Sequence, residues 1–472
     1  MTCFAIFFFT AAWFTYLQEI YFLLIPPGLI VVLFLIQNPK SLFYLLIVSI
    51  PWSFEFSFSP ALATDLPDEP MMIMASIAAL IYLVHTRKTF QISKVHLLSK
   101  IIILQLAWAF ITVIASTDFI LSVKYLLAKG WYVMAFFVLP VILFRDVHFF
   151  RKAMFLFLCS MFVVTSVILF KHAGNDWSFE KVNDAVRPFF KNHVSYSSLL
   201  VFMIPLLLAV VRLSGSKKLK WVFSLVLICI VVAVYLSYAR GAWLALLGGV
   251  VAYWLVQKRL LLSGFVLVLL IVVMGTVWVK SDQRLIKFSN DYKSTIYHSN
   301  LEEHMIATYR LKDLSNAERI YRWVAGVRMV KDNWQTGWGP STFYSQYKSY
   351  TLPAFKTYVS NNPEKSTVHN YFLLMLIEQG IIGCFLFIIL MTTAFYYVQK
   401  IYFGTTERFW KVVSASIGSI LVMQCVINFL SDMIETDKVG SVFYLCLATL
   451  IIADKISQRK KSDLSADVKS VS

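Results

Sequence analysis

A succession of apolar stretches, each close to the length that crosses a lipid bilayer, constrains this chain more than any other feature. A transmembrane helix needs about 20 consecutive apolar residues, with a range of about 17–25. Such stretches fall at about 3–16, 19–36, 41–57, 71–85, 98–115, 123–144, 152–171, 194–212, 220–238, 241–256, 259–279, 371–398, 412–430 and 439–454. The pattern predicts an all-α, polytopic bundle of about 12–14 transmembrane helices, with the lower number applying if the shorter stretches are re-entrant.

The composition leads to the same fold class. Hydrophobic residues make up 59% of the chain and charged residues only 15%, whereas soluble proteins carry about 25% charge. The net charge of +17 would suggest nucleic acid as the partner of a soluble protein. Here much of the positive excess lies in short loops between apolar stretches, where the positive-inside rule accounts for it. We therefore expect a membrane as the partner, and no nucleic acid.

The basic loops also predict the orientation of the chain. With those loops inside, both termini are cytoplasmic, and two longer polar segments, about 172–193 and 280–370, lie outside. The longer one carries 13 Lys and Arg against 8 Asp and Glu, which favours an anionic ligand. The polar tail after about 455 is predicted to be disordered. The predicted parts are N-terminal helices (1–190), central helices (191–279), a periplasmic loop (280–370), C-terminal helices (371–454) and a cytoplasmic tail (455–472).

The long loop contains a predicted amphipathic helix. Ser315 and Glu318 have the spacing of a capping box, and apolar residues follow at helical period. Glu318 and Arg322 are four positions apart, as in a helical ion pair. Arg319 and Trp323 share one side of this helix.

Two other positions carry candidate chemistry. His369, followed by Asn370, stands directly before an apolar stretch, and an imidazole is the side chain best suited to move a proton near neutral pH. Arg240 lies between two apolar stretches with almost no connector. An arginine at that depth usually faces a polar cavity, although it can also extend to the membrane surface. Gly241 is predicted to permit the tight turn.

These residues resemble the signature of the O-antigen ligase family, which includes many O-antigen polymerases and protein O-oligosaccharyltransferases. That family has a histidine, a small polar residue, nine further positions and Gly-x-x-Gly, and the spacing from His369-Asn370 to Gly380 and Gly383 is complete. Three further segments resemble the family and occur in its order: Ser237–Trp243 with Arg240, Glu318-Arg319 with Trp323, and Gly337–Phe343. The similarity covers about 190–400.

The resemblance implies a metal-independent, inverting glycosyltransferase with a fold of the C type. The donor would be glycan on an undecaprenyl-pyrophosphate carrier at the periplasmic face of the bacterial inner membrane. His369 would be the base that activates an acceptor hydroxyl, and Arg319 and Arg240 would hold the pyrophosphate. No cofactor and no metal ion are expected. The candidate substrate-binding residues are Trp323, Asn370, Arg322, Gly339, Arg187 and His193.

Several weaker candidates have structural interpretations that we favour. Lys124 and Lys129 could meet phosphate but more simply extend to the membrane interface. Asp432, Glu435 and Asp437 are the nearest approach to a metal-binding set and are interpreted as a solvated connector. Three aromatic residues could pack against sugar or polyprenyl chain, although aromatic belts are common at this depth: Trp338, Phe343 and Tyr371.

The sequence leaves the acceptor open. A ligase transfers glycan to a lipid A–core, a polymerase to another carrier-linked repeat, and a third branch to protein. We favour the ligase because the motif spacing is complete. A secondary transporter is the alternative of a different class, but it would need polar groups near the bilayer midplane, and the polar groups here gather in the outer segments.

Overall fold

A computed structural model of the protein describes residues 32–59, 62–86, 95–143, 147–278, 314–351 and 367–471. These residues form an all-α polytopic bundle, as predicted, with one short hairpin of two antiparallel strands. The predicted span at 3–16, most of the one at 19–36, and large parts of the long loop lie outside the described residues.

The described helices are numbered here in chain order. They are α1 (Pro39–Ser49), α2 (Asp68–His85), α3 (Leu97–Ile114), α4 (Phe119–Leu143, with a π-helical turn at Met134–Val138), α5 (Val147–Ala173), α6 (Val182–Val186), α7 (His193–Leu213), α8 (Lys217–Leu236), α9 (Arg240–Gln257), α10 (Leu261–Trp278), α11 (Leu314–Asp332), α12 (Phe343–Gln346), α13 (Tyr371–Gly404), α14 (Arg408–Leu430) and α15 (Asp437–Val471).

Nine helices of the described residues are long and apolar enough to cross a membrane. They are α2, α3, α4, α5, α7, α8, α13, α14 and α15. A shorter apolar helix runs over Leu261–Gly275 in α10. The chain is therefore a multi-pass membrane protein, and the total of about 12–14 spans stays a prediction.

The hairpin corrects the predicted span at 41–57. α1 ends at Ser49, a 3-10 turn follows over Ile50–Trp52, and the chain then forms β1 (Phe54–Ser59) and β2 (Leu62–Leu66). The β1 sequence, Phe-Glu-Phe-Ser-Phe-Ser, alternates apolar and polar residues with the period of a strand. This stretch was predicted as part of a span because its residues are mostly apolar, whereas the alternation was the informative signal.

The centre of the bundle is formed by the C-terminal helices. α14 packs against α7, α9, α13 and α15. In the most apolar part of α15, 83% of the residues are buried, against 22% in α8. Because α8 exposes apolar side chains such as Trp221, Leu225 and Ile228, it belongs to the lipid-facing rim, and α14 and α15 form the core.

One end of the bundle gathers the hairpin and three connections between helices. The Lys438 ammonium, on the first turn of α15, donates to the Ser53 carbonyl at 2.8 Å and to the Phe189 carbonyl. The Tyr371 N–H, where α13 begins, donates to the Ser431 carbonyl after α14 at 3.1 Å. We call this the hairpin end. The predicted outer segment 172–193 and the described parts of the long loop lie there.

The opposite end is joined by a buried carboxylate. Asp454 of α15 lies 3.0 Å from the Lys400 ammonium and 3.4 Å from Nε2 of His96, which ties α13 and the start of α3 to α15. α15 continues to Val471. The prediction of a disordered tail after 455 was therefore wrong, because the helix that forms the core extends through it without a break.

Candidate active site at the hairpin end

His369 lies immediately before α13. Its backbone is in the left-handed region, with φ +53°, and its N–H donates to Thr367 Oγ1 at 3.3 Å. Asn370 is buried and caps α13, because the Leu373 N–H donates to its Oδ1 at 3.1 Å. The Oδ1 of Asn370, a predicted substrate-binding residue, is thus used to fix the start of the helix beside His369.

α11 packs against the segment that carries His369. The Trp323 indole N–H donates to the Val368 carbonyl at 3.1 Å, and its ring meets Phe429 edge-on at 5.8 Å. This contact places α11 directly beside His369. Trp323, predicted to bind substrate, has its indole N–H engaged in holding the two segments together.

Two arginines of α11 lie close enough to the imidazole to affect its pKa. Arg322 is buried, and its Nη2 lies 3.8 Å from Glu318 Oε2, which confirms the predicted i, i+4 pair. Burial first, then the charges of Arg322 and Arg319, lower the pKa of His369 to about 3. The imidazole is therefore neutral at neutral pH and can accept a proton. The two guanidiniums beside it provide positive charge for an anion.

A carboxyl group completes this cluster. Asp432 Oδ1 lies 3.9 Å from His369 Nδ1, in the connector between α14 and α15. Burial raises the pKa of Asp432, while a hydrogen bond from the Thr367 side chain and the charge of Arg322 act in the opposite direction. Asp432 is thus the closest described carboxylate to the candidate base.

The connector 431–436 differs from its prediction. It was interpreted as solvated, yet Ser431 and Ile434 are buried. The three acidic residues also diverge. Asp432 faces His369, Glu435 faces Lys129 at 2.9 Å, and Asp437 accepts from the Ser53 hydroxyl at 3.4 Å. They therefore do not form one cluster, because each faces a different segment of the chain.

Arg240 begins α9 at the same end. Its neighbour Gly241 would bring an added Cβ to 3.4 Å from the side chain of Leu430, the last residue of α14, two positions before Asp432. The left-handed residue of the corner is Tyr238, with φ +56°, and its hydroxyl donates to the Trp177 carbonyl at 2.6 Å. The turn that was assigned to Gly241 is therefore made by Tyr238, since Gly241 is already helical.

The two candidates from the earlier outer segment lie around α6. Arg187 is exposed, and its carbonyl accepts from the Lys171 ammonium. His193 begins α7, and both its backbone N–H and its Nδ1 lie near Asn183 Oδ1, at 3.0 and 2.9 Å. These contacts fix the start of α7 and place both residues at the hairpin end.

The Gly-x-x-Gly motif is a break in α13. Gly380 has φ +67° and ψ −170° inside an otherwise continuous helix, and an added Cβ there would overlap the Gln335 carbonyl. The Ile381 N–H donates to the Trp334 carbonyl at 2.9 Å, and the Trp108 indole donates to the Gln379 carbonyl at 2.8 Å. The backbone N–H and carbonyl groups that the break leaves without helical partners are thus hydrogen-bonded to neighbouring segments.

The Gly337–Phe343 segment fills this break. Glu378 Oε2 accepts from the Ser341 N–H at 2.9 Å and Oε1 from the Phe343 N–H at 3.2 Å. Gly339 has φ +104°, and an added Cβ would overlap the Ser116 side chain at the α3–α4 turn. The structure therefore places Gly339, a predicted substrate-binding residue, at a close backbone approach. Glu378 was not among the residues singled out from the sequence, although an acidic residue in an apolar stretch is a signal for such a role.

The three aromatic candidates are largely buried. Phe343 and Tyr371 are 1% and 3% exposed. The Trp338 indole N–H donates to the Met329 carbonyl at 3.0 Å. These rings support the loop and helices around His369.

Part of the sequence matches a known protein family. Residues 225–388 match the family model described as O-antigen ligase. No curated protein matches the sequence. The matched residues include Arg240, α11, His369 and the break in α13. The match ends before Asp432. The resemblance to the O-antigen ligase and polymerase family that the motifs indicated is confirmed over this segment.

Proposed function

We propose that this protein is a glycosyltransferase of the bacterial inner membrane, which transfers glycan from an undecaprenyl-pyrophosphate carrier to an acceptor hydroxyl at the periplasmic face. The observation that carries the proposal is the grouping of a neutral His369 with Arg319 and Arg322, next to Asp432. A neutral base beside guanidiniums suits a displacement in which a hydroxyl attacks and a diphosphate leaves. The match to the O-antigen ligase model supports an activity of this general kind.

The reaction balances with these residues. The acceptor oxygen attacks the anomeric carbon, and the bond between that carbon and the diphosphate oxygen breaks. The electron pair leaves with the diphosphate, and the hydroxyl proton passes to a ring nitrogen of His369. A single displacement of this kind inverts the anomeric centre, so an inverting mechanism is part of the proposal.

The arginines act on the leaving group. Guanidiniums bind phosphate oxygens through charge-assisted, often bidentate hydrogen bonds, and such donors stabilise the charge that grows in the transition state. Arg319 and Arg322 come from α11, and Arg240 comes from the start of α9. We propose that the three together supply the positive charge for a diphosphate, so that transfer proceeds without a metal ion.

Asp432 acts through the histidine. When His369 takes the proton it becomes an imidazolium, and the Asp432 carboxylate 3.9 Å from Nδ1 stabilises that charge and orients the ring. Trp323, Asn370 and Gly339 hold the segments around this pair. Arg187 and His193, at the same end, remain candidates for contacts with the glycan or the carrier.

The acceptor distinguishes the members of this family. We propose a ligase, whose acceptor is the lipid A–core. A polymerase would use another carrier-linked repeat, and a third branch would use a protein hydroxyl. Deletion of the gene tests this choice: loss of all capping with polymer still on its carrier supports the ligase, whereas capping with single repeats supports the polymerase.

The activity itself is tested with purified protein, carrier-linked glycan, each candidate acceptor and a chelator. We expect transfer in chelator, and His369→Ala to lower turnover by about 100-fold or more, the range of a positioned general base. Arg319→Ala, Arg322→Ala and Arg240→Ala should also lose transfer. Each substitution removes a positive charge that stabilises the leaving diphosphate.

A matched control lies on the same helix. Lys331 is an exposed cation of α11, and Lys331→Ala should retain wild-type turnover. Transfer by the His369→Ala variant would contradict the proposed mechanism. Full activity of the Arg319 and Arg240 variants would contradict it as well. Transfer that is abolished by the chelator and restored by a divalent cation would remove its metal independence.

A further inference from the structure

A buried ion pair joins α4 to the connector that carries Asp432. The Lys129 ammonium lies 2.9 Å from Oε1 and 3.1 Å from Oε2 of Glu435. The two side chains are 13% and 21% exposed. A lysine about ten residues inside a spanning helix is costly unless it is paired, and it usually has a function. The interpretation that Lys129 extends to the membrane surface was therefore wrong.

The surroundings of the pair are ordered and partly polar. The ammonium lies 5.6, 6.0 and 5.8 Å from the ring centroids of Tyr125, Tyr371 and Tyr444. The Tyr125 hydroxyl donates to Glu435 Oε1 at 3.2 Å. The rings and the ammonium line a small cavity among α3, α4, α13 and α15. Both Glu435 oxygens bond to this ammonium. The geometry therefore suits a fixed contact between α4 and the connector better than a phosphate-binding site.

The Lys129–Glu435 pair is connected to the residue that faces the candidate base through one short turn. Glu435 and Asp432 belong to one short turn, in which the Glu435 N–H donates to the Asp432 carbonyl at 3.1 Å. The Ile434 N–H donates to Asn428 Oδ1 at 3.0 Å. Any movement of Glu435 is therefore transmitted to Asp432, which faces His369 on the other side of the connector.

We propose that Lys129 and Glu435 form a positioning pair, which holds the 431–436 connector so that the Asp432 carboxylate faces the imidazole of His369. The inference rests on the proposed function for its effect on transfer. The pair touches neither the imidazole nor the reacting atoms, so it acts only through the connector. Lys129 and Glu435 are 306 positions apart, and both lie outside the segment that matches the family model.

Kinetics of four variants test the proposal. Lys129→Met should lower kcat by about 100-fold with little change in the KM for the carrier-linked donor, as expected for a displaced catalytic group. Glu435→Gln should lower kcat to a similar extent, also with little change in this KM. Lys129→Arg should retain most of the activity, because a guanidinium can also pair with the carboxylate. The fourth variant, Lys129→Met with Glu435→Gln, leaves no unpaired charge in the membrane, so it should fold and still show the low kcat.

The matched control is Lys124→Met, an exposed lysine on the same helix, which should keep the wild-type kcat. A Lys129→Met variant with the kinetics of Lys124→Met would overturn the proposal. So would a double variant that recovers the wild-type kcat, because the pair would then matter only for avoiding a buried charge.

A second measurement does not depend on transfer. An Asp432→Cys thiol is placed in the otherwise unchanged chain, and its alkylation rate is followed by peptide mass spectrometry. Adding Lys129→Met should speed alkylation by about tenfold as the connector opens more often, whereas adding Lys124→Met should not. An unchanged rate would contradict the positioning role even if the protein has another activity. Conversely, absence of transfer in the wild-type protein with faster alkylation would remove the proposed function alone.

Discussion

The low pKa of His369 follows from its burial and from its charged neighbours. Burial and the charges of Arg322 and Arg319 lower its pKa to about 3, from an ordinary value of about 6.5. In the proposed mechanism, the arginines that hold the diphosphate thus also keep His369 free of a proton before the diphosphate binds. Diphosphate binding and the protonation state of the proposed base would then be coupled, because both depend on the charges of the same arginines.

This coupling predicts the pH dependence of transfer. In the proposed mechanism the neutral imidazole is the active form. It predominates above the pKa of His369, so a lowered pKa preserves activity at acid pH. Arg322→Ala removes the larger of the two arginine contributions and raises the pKa of His369 towards its ordinary value. The loss of kcat/KM relative to wild type should therefore be greater at about pH 5 than at about pH 8.

The measurement is a profile of kcat/KM against pH for wild type, Arg322→Ala and the exposed control Lys331→Ala. Wild type and control should keep an acid limb well below about pH 6.5. A uniform loss in Arg322→Ala at every pH would show that the arginine acts only on the ligand and not on the base.

At the scale of elements, the break in α13 organises the site. The helix begins at the cap beside His369 and is interrupted at Gly380, where the Gly337–Phe343 segment is bonded to the freed groups. That segment follows α11, which carries the arginines. The break therefore fixes the distance between the arginine helix and the histidine.

Replacement of Gly380 should destabilise the protein. An alanine there must adopt a backbone conformation that only glycine occupies freely, and its Cβ would overlap the Gln335 carbonyl. Strain and overpacking each cost about 1–3 kcal/mol, so Gly380→Ala should lower the unfolding temperature clearly.

The control is Gly275→Ala, in α10, where nothing lies within 4 Å of an added Cβ. Alanine is the better helix former, so this variant should match or exceed the wild-type unfolding temperature in detergent. Equal stability of the two variants would mean that the break in α13 is not needed for the fold.

Part of this architecture could be predicted from sequence, for identifiable reasons. The spans follow from hydropathy, and His369, Arg319 and Arg240 stand in local motifs. Asp432 and the Lys129–Glu435 pair were misinterpreted because their partners are distant in the chain, 306 positions apart for the pair. The hairpin was missed because its period-two pattern is short and adjoins an apolar stretch.

At the scale of the whole molecule, charge distinguishes the two ends of the bundle. The turns opposite the hairpin end carry clusters of basic residues: Lys217, Lys218 and Lys220 in the first turn of α8, Lys258 and Arg259 between α9 and α10, and Arg408 and Lys411 in the first turn of α14. Clusters of this kind mark cytoplasmic loops. The hairpin end, with the candidate site, should therefore face the periplasm, as the proposed reaction requires.

Cysteine labelling tests that orientation. Lys331→Cys places a thiol on the exposed surface of α11 at the hairpin end, and Lys218→Cys places one on the exposed first turn of α8 at the opposite end. In right-side-out spheroplasts, a membrane-impermeant maleimide should label the first variant at once and the second only after permeabilisation, with the unsubstituted chain as the background control. Labelling of the Lys218→Cys thiol before permeabilisation would reverse the orientation, and since the carrier-linked donor and the site would then lie on opposite sides, it would also remove the proposed periplasmic reaction.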